Sequence, residues 1–426
     1  MDLQGKKICE EKYMRTVLIN GKVITPEGII ENVGVIVENG VIEQIVEGGH
    51  GLTEEGNDPS AQAESAWNLQ ENDEVIDVQG HYISPGFIDL HTHGGGGHDF
   101  MDGTFEAIIE GTRAHMKYGT TSIVPTTLSG SSEDLYRTLD LIKACKEAEG
   151  IPNILGVHLE GPYFSMEQRG AQDPKYIRNP EREEYESILN YSEDIVRWTV
   201  APELPGALEL GRELKKRGIV ASIGHSDAIY EEVAEAYENG YNLLTHFYSG
   251  MSMVRRINML RYAGVVESGY LIDDMYVEVI ADGMHLPESL LRLIYKIKGP
   301  DKICLVTDSM RAAGCQEGEY VLGNLTTGQK VVVEDGVAKL LDRTAFAGSV
   351  ATTDRLVRTM VQIAKVPLAD AVKMMTLTPA RVMGIDHKKG SIAVGKDADI
   401  VVFDENINIK MVMIGGRLQI HPQITT

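Results

Sequence analysis

Four histidines and two carboxylates stand where short apolar runs end, and their spacing is suited to holding a metal ion. His91 and His93, in DLHTH, are two residues apart. In an extended strand both imidazoles then face one side and can approach the same ion. Taken alone such a pair is more often structural. Glu160, in HLEGPY, offers a hard carboxylate that can bridge two ions, a structural salt bridge being the alternative. His158, two residues earlier, is read as an interior residue beside the site. His225 closes IGHSD and His246 closes LLTHF. With Glu160 they would make a divalent site that leaves a position for water; otherwise they are satisfied core histidines. Asp308, in LVTDS, can take a proton from an attacking water and return it to a leaving group, or else caps a helix or braces a loop. Histidine and carboxylate donors accommodate one or two divalent ions, zinc or iron foremost, with manganese or cobalt also compatible.

Further polar groups lie beside these. His285, in IADGMH, sits just past a strand end and is placed for a substrate hydroxyl or phosphate oxygen. Arg255 and Arg256, in MSMVRRINM, carry guanidinium forks that suit a phosphate, and surface ion pairing is an equally open use for either. The four glycines 94–97 mark either a loop with demanding dihedrals close to a ligand or a flexible surface turn.

These residues need elements to position them. Eight apolar strand candidates run over 86–91, 121–126, 154–161, 196–203, 219–225, 242–247, 276–283 and 302–309. Amphipathic stretches separate several of them, including TFEAIIEGTRAHMKY, SEDLYRTLDLIKACKEA, LELGRELKKR, IYEEVAEAYENG and ESLLRLIYKIK. Repeated strand–helix alternation predicts an α/β fold, a (β/α)8 TIM-like barrel over 83–384, whose chemistry gathers at the C-terminal ends of the strands. Short β segments over 1–82 and again over 385–426 predict a small β-sandwich domain formed by both chain ends. Between the N-terminal strands, GHGLTEEGNDPSAQAESAWNLQENDE reads as a long polar surface excursion.

Composition narrows the function classes. The 426 residues, 43% hydrophobic and 24% charged, are those of an ordinary globular chain. A formal net charge of −23 disfavours a nucleic-acid partner. There is no apolar run long enough for a membrane span. The opening MDLQGKKICEEKYMR has no apolar signal segment, so a cytoplasmic location is expected. Cys9, Cys145, Cys304 and Cys315 form no close pair and are expected as free thiols.

The ordered set PGFIDLHTHG, HLEGPY, IGHSDA, THFYSGM, IADGMH, LVTDSM, FAGSV, LTPARVMGI and GSIAVGKDADIVVFD resembles the N-acetylglucosamine-6-phosphate deacetylase family of the amidohydrolase superfamily, over nearly the whole chain. The resemblance implies hydrolysis of the N-acetyl amide of an amino-sugar phosphate. It implies Glu160, His225 and His246 as the main metal ligands, with His91 and His93 serving a second ion. Asp308 is then the general acid and base, His285 a substrate-binding residue, and Ala347 and Gly348 part of a loop near the substrate. A homodimer is implied, because the family's arginine reaches into a neighbouring subunit's site. Three segments depart from the family pattern. Ser249 and Gly250 stand where Asn-Ala is usual, RRIN at Arg255 and Arg256 replaces an Arg-Glu-Pro-like segment, and Gln172 stands where histidine assists the acetyl carbonyl. These departures keep open a deacetylase acting on another N-acetyl amino sugar, phosphorylated or not.

Overall fold

The structure is a computed structural model that describes residues 15–47 and 67–421. Most of the polar excursion, Cys9 and the first fourteen residues lie outside this range. Eight strands form the barrel: Phe87–Thr92, Thr120–Thr127, Val157–Glu160, Ile195–Val200, Val220–Ile223, Tyr241–Leu244, Tyr276–Val279 and Ile303–Leu305. Each pairs in parallel with the next in chain order. The ring closes just past the regular ends of the last and first strands. There Asp308 N–H donates to His91 O and His93 N–H donates to Ser309 O, both at 2.8 Å, around a parallel bridge between Thr92 and Ser309. Residues proposed for chemistry therefore also close the barrel.

Alternation along the strands divides two environments. Outward residues such as Trp198, Val200 and Val277 pack with Leu139, Leu210, Leu291 and Leu356 of the surrounding helices in the largest apolar cluster. Inward residues are unusually polar and include Asp89, His91, His158, Arg197, Thr199 and Glu278, all fully buried. The five helices expected from sequence form at Phe105–Met116, Ser132–Cys145, Ala207–Arg217, Tyr230–Glu238 and Glu288–Lys298. Two of them begin with a side-chain cap, Thr104 accepting from Ala107 N–H and Ser131 from Asp134 N–H. Five more were not anticipated: Arg182–Tyr191, Val265–Leu271, Thr353–Gln362, Leu368–Met375 and Leu377–Val382. The first is so charged that it buries only Tyr185, Ile188 and Leu189. The second has seven residues, too few to show a period.

The chain ends build one mixed eight-stranded sheet. Tyr82–Pro85 lies at its centre, parallel to Thr16–Thr25 on one side and antiparallel to Ile400–Phe403 on the other. Leu18, Val35, Ile42, Ile83, Ile400 and Met413 share a single core, so neither end could bury its apolar face without the other. A further antiparallel sheet, Gly318–Leu322, Gln329–Glu334 and Val337–Leu340, follows the eighth barrel strand and leads into residues 345–349 at the barrel mouth. Cys145, Cys304 and Cys315 are free thiols. No helix among the described residues is long and apolar enough to cross a membrane.

Candidate metal centre and active site

His225, His246 and Asp308 follow closely on the fifth, sixth and eighth barrel strands with φ values of 50°, 35° and 45°. A non-glycine residue in this left-handed region costs about 1–2 kcal/mol. Such strain collects where a side chain must be aimed, and here it turns three side chains inward across the barrel mouth. His91 and His93 arrive from the first strand and its extension, and Glu160 from the end of the third.

The six side chains converge. Glu160 Oε1 lies 3.4 Å from His91 Nε2, 3.4 Å from His225 Nε2 and 3.1 Å from His246 Nε2. Its Oε2 lies 3.4 Å from His93 Nε2. Asp308 Oδ1 is 3.2 Å from His93 Nε2 and 3.4 Å from His91 Nε2. Two buried groups could hold an ion, His91/His93/Glu160 and Glu160/His225/His246, each with its donor atoms within 4.8 Å of one another. Glu160 belongs to both.

The donor set fits divalent cations. His225 Nδ1 donates to Gln168 O at 2.8 Å, which leaves its Nε2 lone pair facing Glu160. His91 Nδ1 is 3.3 Å from the Glu278 carboxylate, and its buried Nε2 has no hydrogen-bond partner. An orphaned buried nitrogen is costly unless something binds it. The field asks for positive charge: burial alone would lower the His91 pKa, but Asp308 and Glu160 raise it to about 10. Burial would raise Glu160, yet His91, His225 and His246 hold it well below the usual carboxylate range. Asp308 is likewise brought down to about 2 against burial, by His91 and His93.

A cavity of about 220 Å³ opens over this cluster, lined in part by Gln172, Ser249, Gly250, His285, Phe346 and Gly348. Gln172 Nε2 donates to Glu160 Oε2 at 2.9 Å, and its Oε1 accepts from Ser129 N–H at 2.9 Å. It thus braces the shared carboxylate. Asp282 accepts from His285 Nδ1 at 2.8 Å, so Nε2 is the nitrogen left for a ligand. Phe346 lies against the His285 ring, centroids 4.7 Å apart. Gly250 has φ 54°, and a Cβ there would sit 3.0 Å from His225 Nδ1. Gly348 has φ 73°, with a Cβ position 3.1 Å from Asp308 O. Both glycines let backbone press against functional residues.

Other expected residues lie apart. Ala347 is buried behind the cavity wall rather than lining it. Arg255 is paired with Asp227, and Arg256 is exposed on the hairpin Arg255–Ile257/Leu260–Tyr262; neither lines the cavity. His158 is held between Thr126 and Thr199 hydroxyls inside the barrel. The glycine run forms a small hairpin, Gly94–Gly95 against His98–Asp99.

Two functional neighbours escaped the sequence reading, Glu278 and Arg197. They pair with each other inside the barrel, and Glu278 meets His91. The available signal was a lone charge in the middle of each apolar strand, VRWTV and YVEVI. Such a charge is rarely buried without a partner.

The sequence pattern of the amidohydrolase family matches residues 82–418. The chain is 35% identical to an N-acetylglucosamine-6-phosphate deacetylase of Lysinibacillus sphaericus, over 81% of this chain and 87% of that one. It is 32% identical to an N-acetylgalactosamine-6-phosphate deacetylase of Escherichia coli O157:H7, over 81% and 89%. The crystal structure of N-acetylglucosamine-6-phosphate deacetylase from Pasteurella multocida superposes with a TM-score of 0.84 at 29% identity, covering 95% of this chain and 99% of that one.

Proposed function

Since the chain belongs to the amidohydrolase family, and within it to the N-acetylglucosamine-6-phosphate deacetylases, we propose that it hydrolyses the N-acetyl amide of N-acetylglucosamine-6-phosphate to glucosamine-6-phosphate and acetate. The observation that carries this reading is the convergence of four imidazoles and two carboxylates at the C-terminal mouth of the barrel.

Glu160, His225 and His246 would hold one divalent ion and His91, His93 and Glu160 a second, zinc or iron by preference. Such ions supply Lewis acidity toward the amide carbonyl and make water a better nucleophile. Asp308 is ionised and takes a proton from the attacking water as the oxygen–carbon bond forms. It then delivers that proton to the departing nitrogen as the carbon–nitrogen bond breaks, so that the sugar leaves as an amine rather than an amide anion. His285, oriented by Asp282, offers Nε2 to a sugar hydroxyl or phosphate oxygen. Gln172 keeps Glu160 in place, and Leu128, Leu322 and Phe346 give the cavity an apolar side that excludes water from the amide. A phosphorylated sugar does not cross a membrane unaided, so a cytoplasmic site of action goes with this reading.

One observation favours a second substrate. No lysine or arginine is among the cavity-lining residues described, so the phosphate charge has no guanidinium partner there within one chain. Either a second copy contributes Arg256 in a homodimer, or the substrate is another N-acetyl amino sugar. Acetate release from N-acetylglucosamine-6-phosphate, N-acetylgalactosamine-6-phosphate and N-acetylglucosamine at matched concentrations separates these. The first is expected to have the highest kcat/KM. Equal or higher kcat/KM for the unphosphorylated sugar would replace the phosphate ester as substrate.

A further inference from the structure

Among the described residues, only His91 of the four histidines at the centre has a carboxylate behind its ring. His225 Nδ1 is held by a backbone carbonyl, whereas His93 Nδ1 and His246 Nδ1 have no hydrogen-bond partner. The carboxylate behind His91 belongs to Glu278, reached across the barrel from the seventh strand, with Oε2 3.3 Å from His91 Nδ1. The same oxygen accepts the His246 backbone N–H at 3.2 Å. Glu278 is itself fixed by Arg197 of the fourth strand. All three nitrogens of Arg197 make further bonds, Nε with Ser222 Oγ at 2.9 Å, Nη2 with Thr245 Oγ1 at 2.9 Å and Nη1 with Leu90 O at 3.2 Å. Arg197 and Glu278 have no exposure to solvent.

Stability alone is a poor reason for such a pair, because desolvating two charges roughly cancels their attraction. What the pair does accomplish is directional. An ionised carboxylate can only accept, so it fixes the hydrogen of His91 on Nδ1 and leaves the Nε2 lone pair toward Glu160 and Asp308. A histidine whose rear nitrogen donates to a carboxylate is a more basic and better oriented ligand.

We propose that Glu278, locked by Arg197, is the positioning residue for His91, and that it determines whether the His91/His93/Glu160 group holds an ion in addition to Glu160/His225/His246. This rests on the metal-dependent reading above and adds to it a residue outside both groups.

Zinc binding to the metal-stripped full-length protein, followed by competition with a chromophoric chelator, tests it. The wild type is expected to bind two equivalents. Glu278→Gln is expected to keep one with unchanged affinity and to bind the other about 10–100-fold more weakly. His91→Asn is the benchmark and should weaken that same equivalent. If Glu278→Gln does not fold because Arg197 is left unpaired, the double variant Arg197→Gln/Glu278→Gln removes both charges, and the same selective loss is expected. Two zinc affinities equal to wild type would overturn the proposal. So would an equal loss at both equivalents, which is the mark of a merely structural residue, or a wild type that binds a single ion. A wild type that binds no zinc, iron, manganese or cobalt fails the metal-dependent reading itself, and this inference falls with it.

Discussion

Replacing Asp308 by asparagine tests the proton transfer proposed for it separately from its structural contacts. Its backbone N–H closes the barrel by donating to His91 O, and asparagine keeps that bond. Asparagine also tolerates a φ of 45° better than most residues. Asp308 belongs to neither of the two ligand groups, so zinc content should be unchanged. What asparagine cannot do is accept the water proton. The native carboxylate stays ionised at neutral pH because His91 and His93, overcoming burial, lower its pKa to about 2. Loss of a positioned acid–base group typically costs about 10²–10⁴ in rate, equivalent to about 2.7–5.4 kcal/mol of transition-state stabilisation. We therefore expect kcat for acetate release to fall by that factor while KM changes little. Zinc content and the unfolding midpoint, measured on the same preparation, should match wild type. A kcat within tenfold of wild type, or a loss accounted for by missing zinc, would refute the assignment.

Three other outcomes follow from the geometry. Burial lowers the pKa of His115 to about 4 against its bond to Gly94 O, while the unfolded chain titrates near 6.5. The folded state thus keeps His115 neutral. Its contribution is complete above pH 6.5 and is lost between 6.5 and 4 as the unfolded state gains a proton first, by up to about 3 kcal/mol. Denaturant unfolding of His115→Gln at pH 7.5 and 5 should show a correspondingly smaller acid loss than wild type; identical slopes would contradict this. Gln172→Ala removes the donor to Glu160 Oε2 and should weaken zinc binding about 10–100-fold, read by chelator competition, where unchanged affinity would show that the brace is dispensable. Gly250→Ala forces a Cβ at φ 54° to within 3.0 Å of His225 Nδ1. A destabilisation of about 1–2 kcal/mol in thermal or denaturant unfolding is expected, and a neutral effect would mean the turn relaxes freely.

What could be read from sequence, and what could not, divides along physical lines. The barrel strands were legible because each is a short apolar run ending in a polar group, and His225, His246 and Asp308 stand beyond the last regular residue of such runs. Sharing of one core by the two chain ends was legible from β character too short to fold alone. Glu278 and Arg197 were not, because their meaning lies in a pairing across the barrel, between the seventh and fourth strands, that no local period reveals. The sheet after the eighth strand was missed although it brings Phe346 to the cavity; its strands are four to six residues long and half exposed, so they show little contrast. Arg255 and Arg256 show the converse limit: within one chain Arg255 is paired with Asp227 and Arg256 lies on an exposed hairpin, so their use toward a phosphate is a matter for a second copy, which no local pattern reveals.

The central claim is that these histidines and Glu160 hold the divalent ions on which amide hydrolysis depends. Acetate release from N-acetylglucosamine-6-phosphate, measured on metal-stripped protein during titration with zinc, tests it most directly. The account predicts negligible release without metal and activity that rises with bound zinc, accompanied by an equimolar amount of glucosamine-6-phosphate. Full acetate release by protein shown to be free of metal would contradict it.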